Sequence, residues 1–451
     1  MTTQLNRRRF LQRASSAGAA SFVLGTIPFA LSATRAPGAK LNLACIGIGR
    51  RGGLNLKAMA GENIAAICEV DEERLGVIAA QFPQARKHVD YRKLLEQEKG
   101  LDGVVISTPD HSHAPAALMA MNLGLNVYCE KPLTHTVGEA RRLAETAART
   151  KVITQMGTNS QSARTYLATV ELVAAGAIGD VREVHVWSNR PAWPQGQDRP
   201  RGQDPVPSSL KWDLWLGPAP VRPYKEEYED GPFIGKAVYH PFVWRGWWDF
   251  GCGALGDMAP HLMNVAFRAL QLGAPSSVEA ESSGMKAEAY PSWSIIRFEF
   301  PAVGKRPAVK VIWYDGDKKP SADLFDGEAI GGNCSLFVGT KGKIYSGEER
   351  TLDGEPVLLP AKTFAGYQKP APTPPRYGEV HEDWIRAIKE GTTQTACPFS
   401  YGGPMTEAYL LGNIALKVGR KIEWDPVAFK VTNCPEANQY LYPECRAGWK
   451  V

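Results

Sequence analysis

The sequence of 451 residues has almost no charge imbalance outside its first segment, no internal repeat, and little that would suit a membrane span. The first 36 residues hold five arginines and no acid, so the 47 basic residues that follow balance 47 acidic ones. A balanced surface gives no reason to expect a nucleic-acid partner or an anionic membrane. The composition, 44% hydrophobic and 22% charged, is typical of a globular protein large enough for two domains.

The N-terminal segment NRRRFL, residues 6–11, resembles a twin-arginine export signal, with Asn6 where Ser or Thr is usual. An uncharged stretch follows, but its Gly, Ser and Pro residues make it a poor spanning helix. We therefore predict that residues 1–36 are a cleaved signal and that the protein is exported, for example to the periplasm. A membrane anchor is the alternative.

The eight cysteines of the chain could form a disulfide framework in an exported protein. Twin-arginine export carries folded proteins, so the fold should form in a reducing compartment without disulfides. Cys45, Cys68 and Cys129 lie in apolar runs and are expected to be buried thiols. Cys434 and Cys445, near the C-terminus, are the one plausible disulfide pair.

A glycine-rich loop follows the first apolar run of the chain, in LNLACIGIGRRGG. Gly47, Gly49 and Gly52 have the GxGxxG spacing, which permits a tight turn, close backbone approach to a pyrophosphate and close helix–strand packing. The motif alone is a weak signal, because glycine-rich turns are common.

An acid about 20 residues further on strengthens the nucleotide interpretation. The second apolar run, NIAAIC, ends at Glu69, where a carboxylate would bind the ribose hydroxyls. Glu69 favours NAD over NADP, although Arg74 keeps NADP open. Asp71 is a second candidate acid, but it could equally be the N-cap of the following helix.

Apolar strands and amphipathic helices alternate up to about residue 157, which predicts a parallel sheet covered on both faces. Ligands of such sheets bind beyond the carboxyl ends of the strands. The stretches TPDHSH (108–113) and EKP (130–132) both fall at such ends.

GIGRRGG, TPDHSHAP and EKP, in this order, resemble the glucose–fructose oxidoreductase, inositol dehydrogenase and rhizopine-catabolism family. The resemblance implies an NAD-binding Rossmann domain in which Lys131 lies beside the nicotinamide and the substrate hydroxyl. The residues then expected to contact the cofactor are Gly47, Gly49, Arg50, Gly52, Glu69, Thr108, Pro109, His113 and Glu130.

The same loop allows a metal interpretation. His111 and His113 beside Asp110 form a His-x-His arrangement next to a carboxylate, which can bind zinc. We favour the cofactor interpretation and predict no metal, because a helix begins at once and the resemblance places this loop along the nucleotide.

The second half contains a glycine-rich run that leads into Asp257 and His261. Four residues apart on a helix, the two side chains share one face. A random Asp-x-x-x-His is more often structural, but this arrangement also resembles the family's second signature. The resemblance implies that Lys131, Asp257 and His261 are catalytic.

Oxidation of a secondary alcohol needs a base for the hydroxyl proton. An ordinary histidine titrates near pH 6.5, so His261 can accept it, while Lys131 could stabilise the developing alkoxide. The sequence leaves open which of the two is the formal base. Asp257 would hold the histidine or bind a neighbouring hydroxyl.

Arginine and tryptophan side chains near this signature suggest a sugar pocket. Arg190 and Trp193 lie in one loop, and Trp244 and Arg245 lie just before the glycine run. The alternative is that several tryptophans fill the core of the second domain.

These patterns predict an α/β protein with a Rossmann domain at 40–157 and an α+β domain at 158–420 that carries a large, mostly antiparallel open sheet. A tail at 421–451 would pack on the body. The exposed sheet face favours a homo-oligomer.

The sequence leaves three functions open. The first is an exported NAD(P)-dependent sugar or polyol oxidoreductase with tightly bound cofactor. The second is a redox-neutral, NAD-dependent glycosidase, against which the tripeptide EKP counts, because relatives with that chemistry differ there. The third is a non-catalytic sugar-binding protein on the same scaffold.

Overall fold

A parallel sheet forms the first part of the computed structural model, which describes residues 38–347, 354–373, 378–442 and 444–449. The predicted export signal lies outside these residues. The strands are β1 (Asn42–Ile46), β2 (Asn63–Cys68), β3 (Arg86–His88), β4 (Gly103–Ile106), β5 (Asn126–Glu130) and β6 (Thr154–Gly157). All pairings are parallel, in the order β3-β2-β1-β4-β5-β6. The central strands are buried almost throughout, as a sheet covered on both faces requires.

Helices connect these strands. They are α1 (Arg51–Ala58), α2 (Glu72–Ala79), α3 (Tyr91–Gln97), α4 (His113–Asn122) and α5 (Val137–Thr150). Helix α5 begins with a capping box, in which Thr136 and Glu139 satisfy each other's backbone N–H groups. Local sequence therefore sets where this helix starts.

A nine-stranded mixed sheet occupies the second part. Its strands are β7 (Val181–Trp187), β8 (Ser277–Ser282), β9 (Ser294–Phe300), β10 (Val309–Tyr314), β11 (Cys334–Gly339), β12 (Lys343–Ser346), β13 (Val357–Leu359), β14 (Ile422–Asp425) and β15 (Lys430–Val431). The order is β13-β12-β11-β7-β10-β9-β8-β14-β15. Only β7 and β10 pair in parallel among the described strands of this sheet. The predicted fold class is confirmed.

The remaining helices are α6 (Arg164–Ala174), α7 (Trp212–Leu216), α8 (Gly253–Leu262), α9 (Asn264–Leu270), α10 (Val380–Glu390) and α11 (Phe399–Val418). Helix α11 packs on α5, β8 and α8. Helix α10 returns to the first sheet, where Trp384 is fully buried and its indole N–H donates to the carbonyl of Ile153 at 3.3 Å. None of the helices in the described ranges is both long and apolar enough to cross a membrane.

The cysteine predictions have different outcomes. Cys45, Cys68 and Cys129 are buried thiols, as expected. Among the described residues, Cys434 and Cys445 form no disulfide, so that pairing is not supported. Cys434 instead lies against Arg420, whose Nη2 is 3.0 Å from its sulfur.

Candidate active site

The glycine loop between β1 and α1 leaves no room for a side chain at Gly47 or Gly52. Gly47 has a φ of 74°, in the region that favours glycine, and donates its N–H to the carbonyl of Cys68 at 2.9 Å. A Cβ there would approach the Ser107 carbonyl to 2.8 Å, and one at Gly52 would lie 1.8 Å from the oxygen of Gly47. The loop can therefore turn tightly while Gly52 holds α1 against it.

Glu69 is fixed beside this loop by backbone N–H groups. Its Oε2 accepts from Ile48 at 3.1 Å and Gly49 at 3.2 Å. Its Oε1 accepts from Val70 at 2.9 Å and Asp71 at 3.3 Å. Burial raises the pKa of the carboxyl, and these hydrogen bonds oppose the rise. The acid is thus held where ribose hydroxyls would be bound.

Asp71 has the capping role that the sequence left open. Its side chain accepts from the N–H groups of Glu73 and Arg74, at the start of α2. The Nε of Arg74 donates to Asp71 at 3.0 Å, and Arg74 also lines the cavity beside Gly49. A cation therefore lies near the predicted ribose site, so NADP stays open.

A cavity of about 980 Å³ joins the glycine loop to the second half of the chain. Its wall includes most of the residues predicted for cofactor, catalysis and substrate: Gly47, Gly49, Arg50, Glu69, Thr108, Pro109, Glu130, Lys131, Arg190, Trp244, Arg245, Asp257 and His261. Sequence segments more than 200 residues apart therefore form one site.

Lys131, Asp257 and Arg245 form a charged cluster on this wall. The Nζ of Lys131 donates to the carboxylate Oδ1 and to the backbone oxygen of Asp257, both at 2.8 Å. The Nε of Arg245 donates to the same Oδ1 at 3.1 Å. Burial alone would raise the pKa of Asp257, but Lys131, Arg245 and, to a smaller extent, His261 hold it well below its usual range. The carboxylate is thus charged and fixes both cations.

Helix α8 carries Asp257 and His261 one turn apart, and both line the cavity. Arg245 is fixed further by aromatic rings, since its guanidinium lies 4.3 Å from the ring centres of both Phe242 and Trp244. The predicted Asp-x-x-x-His geometry is present, and Arg245 contacts Asp257 as well as the cavity.

Asp110 lies behind this cluster and was considered at the sequence level only as a metal ligand. It is 3% exposed and accepts the backbone N–H of Cys252 at 3.1 Å. Burial raises its pKa to about 7, although the charges of Arg245 and Lys131 offset part of the rise. A carboxyl that can exchange a proton near neutral pH therefore adjoins the cluster of Lys131, Arg245 and Asp257.

Glu130 and Lys131, adjacent in sequence, have different partners. Glu130 is buried, and its Oε1 accepts from Arg51 Nε at 3.0 Å and Asn55 Nδ2 at 2.9 Å. His381, from α10, bonds to Asn55 Oδ1 at 3.0 Å. Glu130 therefore ties helix α1 to the end of β5, while Lys131 faces Asp257.

One predicted substrate residue lies behind the wall. Trp193 is 4% exposed, is absent from the cavity lining, and donates its indole N–H to Gln195 at 3.0 Å. Its ring packs edge-on against Phe242 at 6.0 Å. The expectation that Trp193 contacts substrate is corrected: it supports Phe242, which lines the cavity itself. Arg190 and Trp244 do reach the wall.

The two histidines of the TPDHSH loop face carbonyl oxygens. The ring nitrogens of His113 lie 2.8 Å and 2.9 Å from the oxygens of Pro132 and Thr108. His113 is 1% exposed and does not line the cavity, so in place of the expected cofactor contact the structure shows it positioning these two loops. The two ring nitrogens of His111 each lie 3.1 Å from a backbone carbonyl oxygen, those of Phe250 and Trp215. The described residues hold no cluster of side chains that could bind a metal ion.

The residues present fit a dinucleotide. Gly47 and Gly52 have no space for a side chain, Glu69 is positioned for a ribose, and the buried hydroxyl of Thr108 has no hydrogen-bond partner among the described residues. A buried hydroxyl without a hydrogen-bond partner destabilises the folded state unless a ligand or a water molecule bonds to it. Thr108, on the cavity wall, is therefore suited to bind the cofactor.

Sequence reasoning missed several wall residues. Phe242 and His240 lie between the predicted loop residues but carry no motif, and Trp449 comes from the C-terminal tail. Asp110 could have been suspected from its place at the end of β4. The others have no sequence signal, because only packing brings them to the cavity.

The fold and the glycine loop define a dinucleotide-binding α/β protein. Residues 41–158 match the family described as "Oxidoreductase family, NAD-binding Rossmann fold", and residues 181–451 match its C-terminal alpha/beta domain. The chain therefore belongs to the glucose–fructose oxidoreductase, inositol dehydrogenase and rhizopine-catabolism family, and its first domain is the NAD-binding domain.

Individual relatives are similar over shorter stretches. A glycosyl hydrolase family 109 protein of Stenotrophomonas maltophilia is 33% identical over 191 residues, 39% of this chain and 40% of that protein. Inositol 2-dehydrogenase 2 of Saccharopolyspora erythraea is 30% identical over 150 residues, which are 32% of this chain and 44% of that protein. The chain spans less than half the length of either relative.

A solved structure has the same fold over most of its length. The WlbA dehydrogenase of Bordetella pertussis, in complex with NADH and UDP-GlcNAcA, superposes with a TM-score of 0.58 at 15% identity. The match covers 86% of this chain and 99% of that one. At 15% identity, this similarity shows a shared fold and nothing about the reaction.

Proposed function

We propose that the protein is an exported NAD-dependent oxidoreductase that transfers a hydride between a secondary alcohol of a sugar or polyol and a tightly bound nicotinamide cofactor. The observation that carries this proposal is one cavity with the glycine loop and Glu69 in one part of its wall and Lys131, Asp257 and His261 in another. Export rests on the twin-arginine pattern at 6–11.

The cofactor would be held by the glycine loop, Glu69 and Thr108, and it supplies the hydride acceptor or donor. Lys131, held by Asp257, places a positive charge where an alkoxide would develop. His261 lies on the same wall and can take the hydroxyl proton. Either His261 or Lys131 can be the formal base.

The wall chemistry supports a polyhydroxylated substrate. Trp244 and Phe242 offer aromatic faces, and Arg190 and Arg245 offer donors for hydroxyl or carboxylate groups. The similar proteins named as inositol dehydrogenase and as a dehydrogenase bound to UDP-GlcNAcA fit this class. NADP is kept as an alternative cofactor, because Arg74 lies near the ribose site.

The test begins with protein purified from export-competent cells. After denaturation, released nicotinamide is identified by mass spectrometry, and undenatured protein is titrated with a panel of sugars while the absorbance of reduced nicotinamide is followed. We expect about one cofactor per chain, reduced by a sugar in the wild type and not in Lys131→Ala.

The matched control is Lys389→Ala, because Lys389 lies on α10 outside the cavity wall and is exposed. This variant should keep both cofactor and activity. A wild type that neither retains nor binds NAD or NADP would contradict the proposal and favour a non-catalytic sugar-binding protein.

A redox-neutral glycosidase is a second candidate, favoured by the similarity to the glycosyl hydrolase family 109 protein. Release of a chromogenic aglycone without net formation of NADH would support it. The same variants apply, because transient oxidation of the sugar would also require Lys131 and His261.

We further propose a homo-oligomer assembled through the open face of the nine-stranded sheet. On the face opposite helix α11, the sheet carries the partly exposed ion pairs Arg297–Glu281 and Lys310–Glu299, polar groups of the kind found at the rim of subunit interfaces. Light scattering of the purified protein tests this, and a monomer would contradict it.

A further inference from the structure

The C-terminal segment 444–449 forms part of the cavity wall. Trp449 lines the cavity together with Val89, Asp90 and Tyr91, which follow strand β3. Its indole is 6% exposed, and its ring centre lies 6.2 Å from that of Tyr91. An aromatic residue of the C-terminal tail is therefore placed on the wall of the nucleotide cavity.

Strand order shows which part of a dinucleotide this end would receive. Lys131 follows β5, and Tyr91 follows β3, four strand positions away in the order β3-β2-β1-β4-β5. At about 4.8 Å per strand the two ends lie about 19 Å apart across the sheet. Glu69 follows β2, between them. With nicotinamide at Lys131 and a ribose at Glu69, an adenine would lie beyond β2, beside Tyr91 and Trp449.

The segment is fastened to both halves of the chain. The Nε of Arg446 donates to the carbonyl of Gly217 at 2.9 Å, and its Nη2 donates to the carbonyl of Asp213 at 2.8 Å. From the Rossmann side, the guanidinium of Arg92 stacks 3.8 Å from the ring centre of Trp449. The Nη1 of Arg92 also donates to the carbonyl of Gly448 at 3.4 Å.

We propose that Trp449 is an adenine-binding residue and that segment 444–449 is a latch that retains the cofactor. The indole is held by Arg92, 3.8 Å from its ring centre, and by Arg446, 5.9 Å from it, so the part that lines the cavity is preorganised for contact with a purine, at little entropic cost. To leave, the nucleotide must displace a segment tied down by Arg446. This inference rests on the proposed NAD-dependent function and adds a means by which the cofactor stays bound.

The test measures binding by full-length protein freed of nucleotide, through calorimetric titration with NAD, ADP-ribose and nicotinamide mononucleotide. Base stacking on an aromatic ring contributes enough that Trp449→Ala should weaken NAD and ADP-ribose binding about 10- to 100-fold. Nicotinamide mononucleotide, which lacks adenine, should bind as in the wild type. Trp449→Phe should restore most of the loss.

Two further variants complete the design. Arg446→Gln keeps the indole but loosens the segment, so it should speed NAD release. Trp293→Ala is the matched control, because Trp293 also has a cation over its ring, Lys318 at 4.3 Å, but lies outside the cavity wall. Thermal unfolding of nucleotide-free protein checks that Trp449→Ala folds; if it does not, Trp449→Phe and Arg446→Gln decide the matter.

The outcomes separate the two proposals. Wild-type protein that binds neither NAD nor ADP-ribose overturns the proposed function. Wild-type protein that binds both, with equal affinity in Trp449→Ala and unchanged release in Arg446→Gln, overturns the latch alone. A loss shared equally by nicotinamide mononucleotide also overturns adenine binding by Trp449.

Discussion

Replacing Asp110 by asparagine should make the stability of the protein less dependent on pH. The side chain is 3% exposed, and burial raises its pKa to about 7 despite the opposing charges of Arg245 and Lys131. In the unfolded chain an aspartate titrates near 3.9. Between these values the folded state keeps a proton that the unfolded state releases, so the stability contributed by this proton is present below about pH 4 and is lost as pH rises towards 7.

The magnitude follows from the two pKa values. The folded and unfolded pKa values differ by about three, and each pH unit corresponds to about 1.36 kcal/mol. The wild type therefore loses about 4 kcal/mol of stability by pH 8. Asparagine has the same shape, can still accept the N–H of Cys252, and carries no charge to bury. The stability of Asp110→Asn relative to the wild type should therefore increase by about 3 kcal/mol between pH 5 and pH 8.

Denaturant unfolding of nucleotide-free protein at several pH values measures this difference. The control is Asp323→Asn, on an exposed turn, which should change stability little at any pH. Comparing variant with wild type cancels other titrating groups, since they are common to both. A relative stability of Asp110→Asn that stays constant from pH 5 to pH 8 would refute the reasoning, because Asp110 would then be charged throughout.

Three further predictions concern other parts of the structure. Gly52→Ala should abolish NAD binding and lower the free energy of unfolding by about 1–3 kcal/mol, because its Cβ would lie 1.8 Å from the oxygen of Gly47. Calorimetric titration with NAD and denaturant unfolding measure the two effects, and Gly61→Ala, with open space around it, is the control for both. Glu69→Gln should weaken NAD binding about 10- to 100-fold, because a neutral amide cannot replace all four N–H acceptor contacts; unchanged affinity by calorimetry would contradict this. Trp384→Ala should lower the free energy of unfolding by about 3–5 kcal/mol, because a fully buried indole is lost; a loss under about 1 kcal/mol in denaturant titration would contradict it.

Local sequence determined the first half of the fold and the motifs of the site. Gly47, Gly49 and Gly52 could be recognised from their spacing, and the structure shows at Gly47 and Gly52 that a tight turn and close approach admit no larger residue. The alternation of apolar runs and helices gave the parallel sheet, since periodicity reports burial directly. Lys131 and the Asp257–His261 pair rested on the family resemblance, and the structure brings all three to one wall.

Tertiary structure alone decided which side chains face the cavity and what electrostatic environment they have. His113 and Trp193 have the residue types of ligands, yet one positions carbonyl oxygens and the other supports Phe242. Helix α10 packs on the first sheet although it comes from the far end of the chain. The raised pKa of Asp110 and the place of Trp449 depend on contacts between segments more than 100 residues apart. A sequence pattern records local periodicity and residue type, whereas burial and charge at a site are set by neighbours that only the folded chain supplies.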